Sequence, residues 1–231
     1  MEHSIKHLEE SMQESTLLPA GTPHAVAQAV AALRDGQVVA LPTDTVYGLA
    51  AHAFLPEAVA RLYAVKKRPA EMAVPLLLPR ASALPGVCDA IPATAWTLAD
   101  RFWPGALTMV LRRAPIVPDV VTNRRPSVAV RVPDHALVRD ICLHLGAPLA
   151  VTSANLHGTP AASTAEKVAV TLGDQVPLIV DGGPSPGGVP STVVDLTVSP
   201  SAILRTGPIA ADALASLLGE VVVGGAFWEE R

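Results

Sequence analysis

The sequence predicts an α/β fold, a single domain built on one twisted sheet largely covered by helices, and three observations carry that expectation. Short apolar runs of strand length alternate with amphipathic segments of helix length, and no shift in composition divides the chain. Half of the 231 residues are hydrophobic and only 16% are charged, so a substantial core can be buried. Aromatic residues make up 3%, and a stock dominated by Ala, Val and Leu suits close layering of helices on strands better than an aromatic-rich sandwich.

The elements follow in order. Residues 1–20 read as a flexible lead-in: Glu2, Lys6, Glu9, Glu10 and Glu14 break up any apolar stretch, so a secretory signal is not expected. Residues 24–35 read as an amphipathic helix closed by Gly36. A short strand over 37–41 stops at Pro42. Residues 56–67 form a second helix, with Pro56 in its first turn and cations in its last. A buried strand over 74–78 and a helix over 94–102 precede Trp103-Pro104-Gly105. Strands at 107–111 and 127–132 lead to a helix over 136–145, capped by Gly146. The alternation continues with a strand at 148–152, a helix at 164–172 and strands at 178–181, 192–196 and 202–205. A helix over 209–218 closes a domain expected to span 21–220, followed by a tail, 221–231. The 22 prolines gather at segment ends, where they pin loops.

A net charge of −4 argues against a protein that coats nucleic acid non-specifically. Cys88 and Cys142 have neither metal-site nor redox spacing, which fits a reducing cytoplasmic compartment. No run of about 18 apolar residues is free of charges and breakers, so no membrane span is expected. The chain lacks a P-loop, a dinucleotide-binding glycine fingerprint and the HExxH zinc motif. Gly183-Pro184-Ser185-Pro186-Gly187 spells a nucleophile elbow, but Pro186 has no N–H to complete the oxyanion hole.

Four polar clusters interrupt the apolar strand ends, where α/β sites gather. Thr43 and Thr45, within Pro42-Thr43-Asp44-Thr45-Val46-Tyr47-Gly48-Leu49, can meet a small polar ligand; a capping or Asx-type turn explains them equally well. Lys66, Lys67 and Arg68 can hold phosphates, or can simply end a solvated helix. Ser153 and Asn155, two residues apart in Thr152-Ser153-Ala154-Asn155, point to one side of an extended backbone. Ser191-Thr192 follows a glycine loop, and Arg205 lies near a strand end. Ser127 and Arg131 bracket Val128-Ala129-Val130, and a buried Arg131 needs either a structural carboxylate or an anionic ligand.

In their order along the chain, the 42–49 block, Lys66-Lys67-Arg68-Pro69, Phe102-Trp103-Pro104-Gly105-Ala106-Leu107-Thr108, Val128-Ala129-Val130-Arg131-Val132-Pro133, Thr152-Ser153-Ala154-Asn155, Ser191-Thr192-Val193-Val194-Asp195 and Leu204-Arg205-Thr206-Gly207 resemble the YrdC-like family. The resemblance implies a twisted mixed sheet with a concave, positively charged groove. It implies a nucleotidyltransferase that joins L-threonine, bicarbonate and ATP into L-threonylcarbamoyladenylate and releases pyrophosphate. That product feeds N6-threonylcarbamoylation of adenosine 37 in tRNA, so downstream tRNA threonylcarbamoyl-transferase proteins, and tRNA contact, are implied partners in the cytoplasm.

By the same resemblance, Lys66, Arg68, Ser153 and Asn155 form the catalytic K-x-R…S-x-N signature. Arg68, Ser127, Asn155, Ser163 and Arg205 would hold ATP, and Thr43, Thr45, Arg131, Ser153 and Ser191 would surround threonine. Mg²⁺ would arrive on the ATP, with no metal site in the protein itself. Pro79 stands where many members carry a histidine, and the interval from Arg68 to Pro75 is about two residues longer than in the family pattern. Two other functions are compatible with the motifs: an RNA-binding module without synthase activity, and a carbamoyl-transfer domain.

Overall fold

In a computed structural model, the structure describes residues 15–67, 72–186 and 188–224. Helix α1 (Ala25–Arg34) ends as its pattern predicts, with Gly36 at φ 72°, and α5 (Ala136–Leu145) ends on a left-handed Gly146. Helix α2 (Pro56–Lys66) starts on its proline and stops at a left-handed Lys67. The other helices are α3 (Ala93–Phe102), a single turn α4 (Asp119–Thr122), α6 (Ala165–Leu172) and α7 (Ala211–Leu218).

The strands are β1 (Thr16–Pro19), β2 (Val39–Leu41), β3 (Gly48–His52), β4 (Leu76–Leu77), β5 (Leu107–Arg112), β6 (Ser127–Arg131), β7 (Leu149–Ser153), β8 (Leu178–Asp181), β9 (Thr192–Asp195), β10 (Ser201–Arg205) and β11 (Val221–Val223). They form one mixed sheet in the order β1-β8-β2-β3-β7-β4-β6-β5-β9-β10-β11. The pairs β4/β6 and β5/β9 are parallel, whereas β3/β7 and β5/β6 are antiparallel. The chain is thus a single-domain α/β fold.

Three strands depart from the expected pattern. Residues 16–19, placed in the lead-in, form an edge strand parallel to β8, and residues 221–223, placed in the tail, pair with β10. Strand β3 is not expected from Gly48-Leu49-Ala50-Ala51-His52, which has no β-branched residue; burial between two neighbours overrides its weak propensity. Residues 1–14 lie outside the described residues.

The period of two along the strands separates two faces. Leu49, Leu76, Met109, Val130 and Val194 turn to one face, under Leu62 of α2, Leu98 of α3, Val168 of α6 and Leu214 of α7. On the opposite face, Ala50, Leu77 and Val151 pack under α1 and α5. Farther along that second face, Ala73, Val110, Ala129, Val193, Ala202 and Leu204 form a separate cluster that includes no helical residue among those described. The two helices cover only part of the second face, and the concavity they leave lies between these clusters. Cys88 and Cys142 are buried and unpaired, and burial pushes both thiols up to about 12. Among the described residues, no helix is long and apolar enough to cross a membrane.

Candidate active site

The turn after β2 is closed by a side chain. The Thr43 hydroxyl accepts the N–H groups of Thr45 (3.1 Å) and Val46 (3.2 Å) and donates to the Val46 carbonyl at 2.6 Å. Tyr47 is fully buried; its phenol donates to the Gly183 carbonyl (2.8 Å) and accepts the Gly182 N–H (3.2 Å). Burial raises the Tyr47 pKa and so keeps this donor protonated. Its backbone bonds to Ala154 and Ala162 tie the turn to the loop after β7. Gly48 then has to be a glycine, because a Cβ there would lie 2.7 Å from Val151 Cγ1.

Lys66 is 2% exposed, which excludes the solvated helix end. Its ammonium donates to the Ser153 carbonyl (2.7 Å), Ser153 Oγ (2.9 Å) and Asn155 Oδ1 (2.8 Å). A buried ammonium needs such compensation, and three acceptors match its three protons. Ser153 Oγ also donates to Asn155 Oδ1 at 2.6 Å, and Asn155 Nδ2 reaches the carbonyls of Leu156 and Thr159. Lysine, serine and asparagine therefore form one hydrogen-bonded unit that sets the shape of the loop. Arg68 lies outside the described residues.

Arg131, 7% exposed, has a carboxylate for its partner. Its Nη2 donates to both oxygens of Asp44 at 2.6 Å, its Nε to the Gly105 carbonyl at 2.8 Å and its Nη1 to Thr45 Oγ1 at 3.2 Å. Burial lowers the guanidinium pKa, and Asp44 opposes that shift. On the adjoining wall, Ser191 Oγ pairs with Thr108 Oγ1 at 2.8 Å, while Arg205 donates to Ser191 Oγ (3.0 Å) and to its carbonyl (2.9 Å). Gly207 allows this contact, since a Cβ there would meet Pro190 O and Thr192 N at 2.5 Å.

These walls enclose a cavity of about 480 Å³, within the range of small-molecule sites. Thr43, Thr45, Arg131, Ser153, Asn155, Ser191 and Arg205 all line it. Arg131 and Arg205 supply the charges on its lining, which contains no carboxylate among the described residues.

Three residues named from sequence do not line the cavity. Lys66 sits behind Ser153 and Asn155. Ser127 shares the face of Ala129 and Arg131 on β6 but lies four residues back, about 13 Å at strand rise. Ser163 accepts Lys167 Nζ at 3.2 Å, and its carbonyl accepts the Ser185 N–H. Pro79 lines a different cavity, beside Phe54 and Cys142. Two further residues were not among the expected site residues: Thr108, which lines the cavity, and Asp44, which sits behind Arg131. The need of a buried Arg131 for a carboxylate was a usable signal for Asp44, but nothing local said which carboxylate would answer it.

The Sua5/YciO/YrdC family model, described as "Telomere recombination", matches residues 31–207. The chain belongs to the Sua5/YciO/YrdC family. It is 39% identical over 189 residues to a threonylcarbamoyl-AMP synthase of Pyrococcus abyssi, covering 82% of this chain and 56% of that protein. A Bacillus subtilis protein of the same name is 40% identical over 202 residues, covering 86% of this chain and 58% of the relative. The chain therefore spans little more than half the length of either relative. Among solved structures, P. abyssi Sua5 complexed with L-threonine superposes with a TM-score of 0.86 at 34% identity, over 90% of this chain and 62% of that one.

Proposed function

We propose that this protein makes threonylcarbamoyl-AMP from L-threonine, bicarbonate and ATP, releasing pyrophosphate, as a nucleotidyltransferase. The observation that carries the reading is the convergence of seven residues, named from five separate stretches of sequence, on one cavity whose lining, among the described residues, has two arginines and no carboxylate. The names of the two relatives and the threonine complex of the P. abyssi protein support the same substrate.

In this reading, Thr43, Thr45, Arg131, Ser153 and Ser191 surround the threonine and its carbamate, and Asn155 and Arg205 receive the phosphates. The nucleotide would extend over Ala129 toward Ser127, on a floor of small side chains, with Arg68 and Ser163 completing its site. The threonine nitrogen attacks the carbon of CO2, forming the N–C bond and losing a proton, or that of bicarbonate, in which case a C–O bond also breaks and water leaves. A carbamate oxygen then attacks the α-phosphorus; the new O–P bond replaces the bond to the β-phosphate, and pyrophosphate leaves. Charge grows on phosphate oxygens, so fixed donors supply the stabilisation, and losing one typically costs about 10²–10³ in rate. No covalent protein intermediate is needed.

Mg²⁺ would arrive on the triphosphate, because hydroxyls, an amide and guanidinium groups are poor ligands for a hard cation that favours carboxylate and phosphate oxygens. The product would serve tRNA threonylcarbamoyl-transferase proteins, a role that places the enzyme in the cytoplasm. The domain would span residues 21–220, extended by the edge strands β1 and β11.

The test is to incubate the protein with labelled bicarbonate, ATP and each amino acid in turn. Threonine-dependent pyrophosphate release and a labelled threonylcarbamoyl-adenylate are expected. ATP turnover indifferent to threonine would overturn the reading.

A further inference from the structure

Asp44 is not part of the cavity lining, whereas its partner Arg131 and its chain neighbour Thr45 are. It stands behind Arg131 and holds Nη2 with both carboxylate oxygens at 2.6 Å. Its own backbone is held on both flanks, because the Thr43 hydroxyl bonds to the N–H groups of Thr45 and Val46. With Nε on Gly105 and one Nη1 proton on Thr45, these contacts fix the guanidinium plane and aim its remaining Nη1 proton. The pairing also compensates a desolvated cation. An incoming carboxylate then meets directed N–H groups within a nearly neutral pair, so affinity depends on aim more than on net charge.

We infer that Asp44 is a positioning residue that acts through Arg131 to set the affinity of the amino-acid end of the cavity. This rests on the reading of the cavity as a threonine and ATP site. Asn155 and Arg205, assigned to the nucleotide, are held by other partners, Lys66 and Ser191, so the effect of Asp44 is confined to the amino acid.

The test is steady-state pyrophosphate release by the full chain, varying L-threonine and ATP separately, for wild type, D44N, R131Q and D44N/R131Q. D44N keeps shape and volume but turns an acceptor into a donor facing Nη2. It should raise the KM for threonine about tenfold or more, the loss expected for a charge-assisted hydrogen bond, while the KM for ATP stays within about twofold. The double variant should be no worse than R131Q alone, a non-additivity that separate structural damage would not produce. Should D44N not fold, Asp44→Glu, with the charge kept and the arm one methylene longer, carries the same expectation. An active wild type with D44N unchanged in threonine KM, or with effects of D44N and R131Q that multiply, overturns this inference alone. A wild type that neither turns over nor is thermally stabilised by threonine overturns the proposed function, and this inference with it.

Discussion

Replacing Lys66 with methionine tests the physical core of the site. The methionine has nearly the volume of the lysine stem, so packing around α2 is retained while the ammonium is removed. Three acceptors then lose the ammonium: the Ser153 carbonyl, Ser153 Oγ and Asn155 Oδ1, although the Asn155 N–H still reaches the first and the Ser153 hydroxyl the last. Each hydrogen bond to a charged group contributes about 1.5–3 kcal/mol, and the remaining partners recover part of it. Relief from burying the ammonium offsets part of this, because desolvating a charge is itself expensive. A net loss of about 3 kcal/mol follows, which for a domain of this size lowers Tm by roughly 6–12 °C. Activity should fall further than stability, by about 10²–10³ at a temperature where the variant is folded, since Ser153 and Asn155 lose their common anchor. Lys66→Arg should not restore it, because a planar fork cannot replace three convergent protons. Thermal melts with threonine-dependent pyrophosphate release provide the assay. A methionine variant melting within 2 °C of wild type with normal turnover would refute the argument.

Two further outcomes follow from other parts of the structure. Gly207→Ala should push the chain after β10 away from residues 190–192, because its Cβ would meet backbone at 2.5 Å; the contact of Arg205 with Ser191 loosens, and the KM for ATP should rise at least several-fold, measured by initial rates at saturating threonine. His52 and His135 both have pKa values lowered from 6.5, chiefly by burial, so the unfolded chain takes up their protons first as pH falls. Their contribution to stability is present above pH 6.5 and is lost as acid is added; Tm should fall from pH 7 to pH 5, and the double variant H52N/H135N should show a flatter profile.

What could be read from the residues was whatever local rules govern. Gly146 ending α5, Pro56 starting α2 and the apolar runs of β6 and β8 follow from backbone preference and burial period, which act within a few residues. β3 was not legible, because its strand character comes from the neighbours that bury it. The same holds for β1, whose partner β8 lies far along the chain.

The motifs, taken in order, also pointed to most of the polar side chains of the cavity: Thr43, Thr45, Arg131, Ser153, Asn155, Ser191 and Arg205. Their division of labour belongs to the tertiary structure. Only the sheet order brings Asp44 to Arg131, 87 residues away, and Lys66 to Ser153 across an equal separation. That order makes Lys66 a buried anchor and leaves Ser127 some distance up the strand from Arg131. Sequence determines which groups are available and which local shapes they favour. Which donor meets which acceptor is decided by contacts between distant strands, because a buried charge takes whatever partner the fold brings within reach.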